Sequence, residues 1–341
     1  MVRKKILYRN HLKLNVKEAI FRLTAYLGSL GAEYRKRDKI AILMYHEIRS
    51  SKDDIDSWLV VRKDDFTQQI DYLMENYRIT SIRDALDLAR KNTCLKKPMV
   101  VLTFDDGYSG IRRHLFDILE SRQIPAAIFV ATKQVEEQRV QWYDSLVSCL
   151  SAIDGFSIDL SHHGMGKYSC FAGISGEMRW SVIQSLLSDM KMVQLQKRES
   201  ITAEILKSLG EKEKFQEKLQ YMTPEDIHCM AASENVIFGA HSHCHNILTQ
   251  IPPIEARESM FLSKQKLEEW TGKAIEYFSY PNGDYNGELA MFVEHLGFRA
   301  AFSTESSLFD GRGSFYHVPR VSVGRYDSMA KFKSRVSGLF L

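Results

Sequence analysis

The sequence predicts an α/β fold, with parallel strands covered by helices in barrel-like alternation, and two observations carry that prediction. Short apolar runs rich in valine, isoleucine and aromatic residues recur along the chain, and the stretches between them hold apolar residues at helical spacing. With 341 residues and a hydrophobic content of 44%, the chain can bury a substantial core as one large domain or two smaller ones.

The first run, KIAILMY (39–45), is followed by Asp64 and Asp65, predicted N-caps of a helix with Phe66, Ile70, Leu73, Met74 and Tyr77 on one face. MVVLTF (99–104) precedes a helix marked by Ile111, Leu115, Ile118 and Leu119. After PAAIFVA (125–131), the region from about 132 to 221 turns charge-rich and mostly helical; it reads as an insertion on one face, because strand–helix alternation then resumes. NVIFGA (235–240) is followed by a helix carrying Met260, Ser263, Leu267 and Trp270, and AIEYFSY (274–280) by one carrying Leu289, Phe292, Val293 and Leu296. FRAAFST (298–304) and HVPRVSV (317–323) complete the set. With no repeat, low-complexity tract or Pro-rich linker, residues 39–341 read as one domain that includes the insertion.

Residues 1–38 differ in kind. Val16, Ile20, Leu23, Leu27 and Leu30 form one stripe surrounded by lysines and arginines, the pattern of a basic amphipathic helix that lies on an anionic membrane surface or packs on its own domain. Charges at Lys13, Lys17, Glu18 and Arg22 argue against a cleaved signal peptide, and no stretch reaches the roughly 20 apolar residues of a spanning helix. A formal charge of +3 is too mild to point to nucleic acid. Five cysteines without a C-x-x-C pair fit a reducing compartment.

Two clusters carry the chemistry. LTFDDGYSG (102–110) ends a buried strand in adjacent aspartates, which would repel and resist ionisation in a low-dielectric interior without a cation. FGAHSHCHNIL (238–248) sets three histidines at alternate positions after another strand. The H-x-x-x-H spacing of His241 and His245 turns both rings to one side if the chain makes a helical turn there. In a parallel barrel all strand C-termini open on the same face, so the clusters can meet. Two imidazoles and a carboxylate with an open position make a hydrolytic metal site.

TFDDGY (103–108) and HSHCH (241–245) resemble the first two signature motifs of the NodB-type polysaccharide deacetylases, carbohydrate esterase family four. FSYPNG (278–283) is similar to the third motif and HVPRVSV to the closing element; the resemblance runs from ILMYHEI (42–48) to PRVSV, without the insertion. It implies a distorted (β/α) barrel in which Asp106, His241 and His245 hold a divalent metal, commonly zinc, and Asp105 is the general base. It also implies a backbone N–H of the third motif, that of Tyr280, as oxyanion donor. His243, Cys244 and Ser242 are expected not to ligate, Ser242 fixing its loop instead.

In two respects the sequence departs from the family pattern. It lacks a clear C-terminal L-x-H histidine for the leaving amine, which leaves His46, at the end of the first strand, or His317; His46 is preferred because it lies on the expected active face. The third motif lacks its usual arginine, and Arg320 is expected to replace it by pairing with Asp105. Trp142, Tyr143 and Asp144 open the insertion and either stack on a sugar or pack. The expected activity is removal of an N-acetyl group from a hexosamine-containing polysaccharide or lipid-linked glycan precursor, with the protein cytoplasmic or peripheral to the inner face of a bacterial membrane. An O-acetyl esterase and a catalytically silent glycan-binding protein that retains the metal are the alternatives.

Overall fold

The computed structural model describes residues 39–339 apart from 54, 92–96 and 211–218, so the basic segment expected over residues 1–38 lies outside the described residues. Strand β1 (Ile40–Tyr45) is buried throughout and is followed by a short parallel pair, β2 (Glu47–Arg49) and β3 (Val60–Arg62). Helix α1 (Lys63–Asn76) begins one residue before the predicted caps. Arg62 takes the cap position, and Asp64 and Asp65 fall in the first turn, where carboxylates complement the helix dipole. After β4 (Arg78–Ile79), Ser81 caps α2 (Ile82–Arg90) by accepting the Asp84 N–H. Then come β5 (Met99–Phe104), a π-turn at Ile111–Leu115 running into α3 (Phe116–Arg122), and β6 (Ala126–Val130).

The insertion comprises α4 (Thr132–Glu137), α5 (Trp142–Ala152), α6 (Gly176–Lys191) and α7 (Leu195–Ser208). It also holds an antiparallel hairpin, β7 (Phe156–Asp159) with β8 (Lys167–Cys170), whose alternating burial within four residues per strand is too short a signal for the mainly helical expectation. Its apolar residues, Leu146, Leu150, Trp180, Ile183, Leu186 and Ile201 among them, form a core of their own.

Alternation resumes with α8 (Pro224–Ala231), β9 (Val236–Ala240), α9 (Pro253–Thr271), β10 (Tyr277–Ser279), α10 (Gly287–His295), β11 (Ala300–Phe302), β12 (Val321–Ser322) and α11 (Met329–Val336). The main sheet runs β11-β10-β9-β6-β5-β1-β12, with β4 on the flank of β5, and every pairing is parallel. Its ends approach through Val318, which forms a parallel bridge to Phe302 just before β12 joins β1 at Leu43↔Val321. The run expected over 317–323 is therefore split between two partners. This is the distorted (β/α) barrel that the sequence implies.

Period-two burial sorts the strands into two faces. Leu43, Leu102, Ile128 and Val130 join the helices in the main core, while Ile40, Ile42, Met99, Val101, Phe129, Tyr277 and Phe302 join α2 in a second one. Thr103 and Asp105 continue the row of Met99 and Val101, and Ser279 that of Tyr277, so the second face turns from apolar to polar at the strand C-termini.

Asp144 fastens the insertion to the barrel. Its carboxylate is fully buried and accepts the Tyr108 hydroxyl at 2.8 Å and the Tyr221 hydroxyl at 2.6 Å, between two rings stacked 5.1 Å apart. Burial pushes its pKa up to about 8 against those two donors, and Asp106 adds to the rise. A raised carboxyl contributes stability below its ordinary pKa and loses it as pH rises toward 8. The Asp144→Asn variant should therefore gain stability relative to the wild type between pH 5 and 8, measured by denaturant unfolding. Tyr221→Phe should cost about 1–3 kcal/mol in the same assay by stranding a buried acceptor.

Candidate active site

At the end of β5 the two adjacent aspartates part company. Asp106 has φ 73° and Gly107 φ 86°, so the chain turns through two left-handed residues, and the adjacent side chains leave in different directions. A side chain at position 107 would also meet Val130 Cγ1 at 3.1 Å, which leaves the position to glycine.

Asp105 turns to Arg320. The guanidinium, 0% exposed, donates Nη1 to Asp105 Oδ1 at 2.7 Å and Nη2 to Oδ2 at 2.6 Å. Its remaining donors reach the Ser303 carbonyl (3.0 Å), the Ser279 hydroxyl (2.8 Å) and the Thr103 hydroxyl (3.2 Å). Burial alone would raise the Asp105 pKa, but Arg320 and, after it, His241 outweigh burial and hold it below the usual carboxylate range.

Asp106 turns to the histidines. Its Oδ1 lies 3.4 Å from His241 Nε2 and 3.0 Å from His245 Nε2, and the two Nε2 atoms are 3.2 Å apart. Burial would raise this carboxyl too, yet His245 and His241 bring it well below its ordinary value. His241 Nδ1 donates to the Ser279 carbonyl at 2.7 Å, which leaves the Nε2 lone pair facing Asp106. The two rings meet without a helical turn between them. Ser242 (φ 61°) and His245 (φ 54°) are left-handed instead, and Ser242 Oγ accepts the His245 N–H at 3.0 Å. His243 points away, its Nδ1 2.9 Å from the Thr132 hydroxyl, and the Cys244 N–H is held by Ser259 Oγ.

One carboxylate oxygen and two imidazole nitrogens thus converge in a buried place, with one tautomer fixed from behind, and this donor set fits a divalent metal. Another His/His/carboxylate group, His162, His163 and Glu204, lies at the surface of the insertion.

The aspartates and histidines open on a cavity of ≈ 440 Å³. His46 lines it, with its Nδ1 buried and unpaired and its ring 5.9 Å from that of Trp58. Burial lowers the His46 pKa, while Asp106 and Asp105 pull it upward. His317 is not on the cavity wall; its ring stacks on Tyr285 at 5.1 Å. A larger cleft of ≈ 870 Å³ lies at the other end of the strands, lined by Arg78, Pro125, Asn235 and Lys273, away from these groups.

The oxyanion donor expected at Tyr280 is corrected. Its N–H is donated to the Phe302 carbonyl at 3.0 Å, as sheet pairing carries one residue past β10. Pro281 has no N–H, so the next one along belongs to Asn282, which is left-handed (φ 61°) and lines the cavity.

Of the other cavity residues, Trp142 and Tyr143 were candidates from the sequence, while Trp58, Trp180, Lys191 and Arg198 escaped it. The Tyr143 hydroxyl is 3.4 Å from both Asp106 Oδ2 and His245 Nδ1. Three of the four tryptophans, Trp58, Trp142 and Trp180, are on the wall, as are Lys191 and Arg198. The aromatic W-Y-D opening of the insertion was the only signal for any of them, and it divides: Trp142 and Tyr143 face the cavity, whereas Asp144 is structural.

Arg320→Met should leave Asp105 buried without a counter-charge and cost about 3–5 kcal/mol in chemical unfolding, whereas Arg320→Lys, which keeps the charge without the fork, should cost less.

Comparison with known proteins accords with this geometry. The family model described as polysaccharide deacetylase matches residues 92–301. No curated protein matches the chain. Among solved structures, the deacetylase PplD of Streptococcus pyogenes, in complex with acetate, superposes with a TM-score of 0.57 at 17% identity, covering 87% of this chain and 98% of its own. IcaB from Ammonifex degensii gives 0.57 at 20% identity, covering 89% and 98%. A de-N-acetylase from Aggregatibacter actinomycetemcomitans gives 0.52 at 13% identity, covering 87% and 99%. At these identities the structures speak for the fold, and the family match, which spans more than half of the residues, speaks for the rest: the chain belongs to the polysaccharide deacetylase family of hydrolases.

Proposed function

We propose that the protein hydrolyses the N-acetyl group of a hexosamine-containing polysaccharide or lipid-linked glycan precursor, with a divalent metal held by Asp106, His241 and His245. The divergence of two adjacent aspartates carries this reading: one faces two imidazoles, the other an arginine. Zinc suits two nitrogens and one oxygen, and such an ion supplies Lewis acidity toward the acyl oxygen together with a water more acidic than bulk water.

Every other role falls to side chains and backbone. Asp105, kept ionised by Arg320, takes a proton from the attacking water as general base. The Asn282 N–H faces the acyl oxygen as negative charge develops there, the role first expected of Tyr280. His46 is the group placed to pass a proton to the leaving nitrogen, its buried Nδ1 having no protein partner. Tyr143 orients Asp106 and His245, and the tryptophans offer ring faces to the sugar. The de-N-acetylase among the structural relatives supports an amide as substrate; an acetyl ester would use the same groups.

Metal analysis and deacetylation assays test the proposal together. Asp105→Asn should retain the metal and lose about 10²–10⁴-fold in turnover of N-acetylglucosamine oligomers. Asp106→Asn and His241→Ala should lose the metal itself. Full activity in Asp105→Asn would remove the base from the proposal, and turnover of acetylated xylan alone would move it to esters.

A further inference from the structure

The insertion places two cations on the cavity wall. Lys191 is the last residue of α6 and Arg198 lies in the first turn of α7. Among the described residues neither is ion-paired with a carboxylate. Lys191 Nζ donates to the Asn282 side-chain oxygen, across the cavity from the insertion to the third-motif loop. Arg198 is 4% exposed; its Nε and Nη2 donate to the Val193 carbonyl at 3.4 and 3.1 Å, and Nη2 to Gln250 Oε1 at 3.3 Å. Its guanidinium also sits 5.3 Å over the ring of Trp142.

The carboxylates of the cavity are committed elsewhere, Asp105 to Arg320 and Asp106 to the two imidazoles. Burial lowers the Lys191 pKa, opposed by Asp284 and Asp106 at longer range. Arg198 is buried and Lys191 half-buried, both held by neutral oxygens and Arg198 also by an aromatic face, and an anion entering the cavity beside them would offset the cost of keeping them there.

We propose that the substrate is itself anionic, an acetamido glycan bearing a phosphate or carboxylate next to the acetylated sugar, with Lys191 and Arg198 as the anion subsite and Trp142 packed beneath the sugar. This rests on the deacetylase reading above and narrows it. A neutral glycan filling the cavity would displace water from the half-buried Lys191 and offer no counter-charge to either cation, whereas a charged one gains a charge-assisted hydrogen bond from each.

The test compares three probes on the zinc-loaded protein: tri-N-acetylchitotriose, its 6-phosphate, and the form oxidised to a carboxylate at the reducing end. Turnover and calorimetric binding are both measured. A charged probe should be favoured about tenfold or more in kcat/KM, and whichever charged probe wins identifies the anion. Lys191→Met should collapse the ratio, Lys191→Arg should restore much of it, and unchanged melting would show that the fold is intact. Equal handling of all three probes, or a preference that survives Lys191→Met, would overturn the anion subsite while leaving the deacetylase reading in place. Lys191-dependent binding of a charged probe without turnover of any probe would do the reverse. Neither binding nor turnover would overturn both.

Discussion

The buried ion pair between Asp105 and Arg320 is the constraint on which the site is built. An unpaired carboxylate at the end of a fully buried strand would take up a proton, and an unpaired guanidinium in the same place would be more costly still. Together they form a two-pronged contact, finished by the Ser279 and Thr103 hydroxyls and the Ser303 carbonyl, so each of the five donors on that guanidinium has a defined acceptor. The partners come from β5 and from the segment that leads into β12. Sheet closure and the ionisation of Asp105 are thus the same structural event, and the polar layer at the strand ends follows from it.

Most of the barrel was legible because its strands are fully buried and read as continuous apolar runs, and because helical spacing between them is a long-range pattern. Strand ends were less legible. AIEYFSY and FRAAFST shrink to three paired residues each, since the barrel's twist lets only part of each run meet a neighbour. Asp64 and Asp65 fall two and three residues past the cap expected of them, as a cap and a first-turn acid have the same composition. The hairpin inside the insertion gave too few residues for a period.

Within the site, side chains that act through their type were legible, and roles that depend on direction were not. Asp106, His241 and His245 stand where their chemistry placed them, but they meet through left-handed backbone at Asp106, Ser242 and His245, not through a helical turn. The Tyr280 N–H was misassigned because sequence does not reveal that pairing with β11 extends one residue past the strand. Lys191, Arg198 and Trp180 gave no signal at all: on a helix of unknown orientation, a lysine facing a cavity and a lysine facing water are written identically.

The position of Arg320 has a bearing on what counts as the working unit. The recognisable family segment ends at residue 301, and His46 precedes its start. A fragment trimmed to those limits would hold all three prospective metal ligands, yet it would lack the first strand, the seam that shuts the barrel and the guanidinium behind Asp105. Homology alone therefore delimits the carboxylates and imidazoles of the site; the guanidinium that keeps Asp105 ionised and the imidazole of His46 are supplied by the flanks.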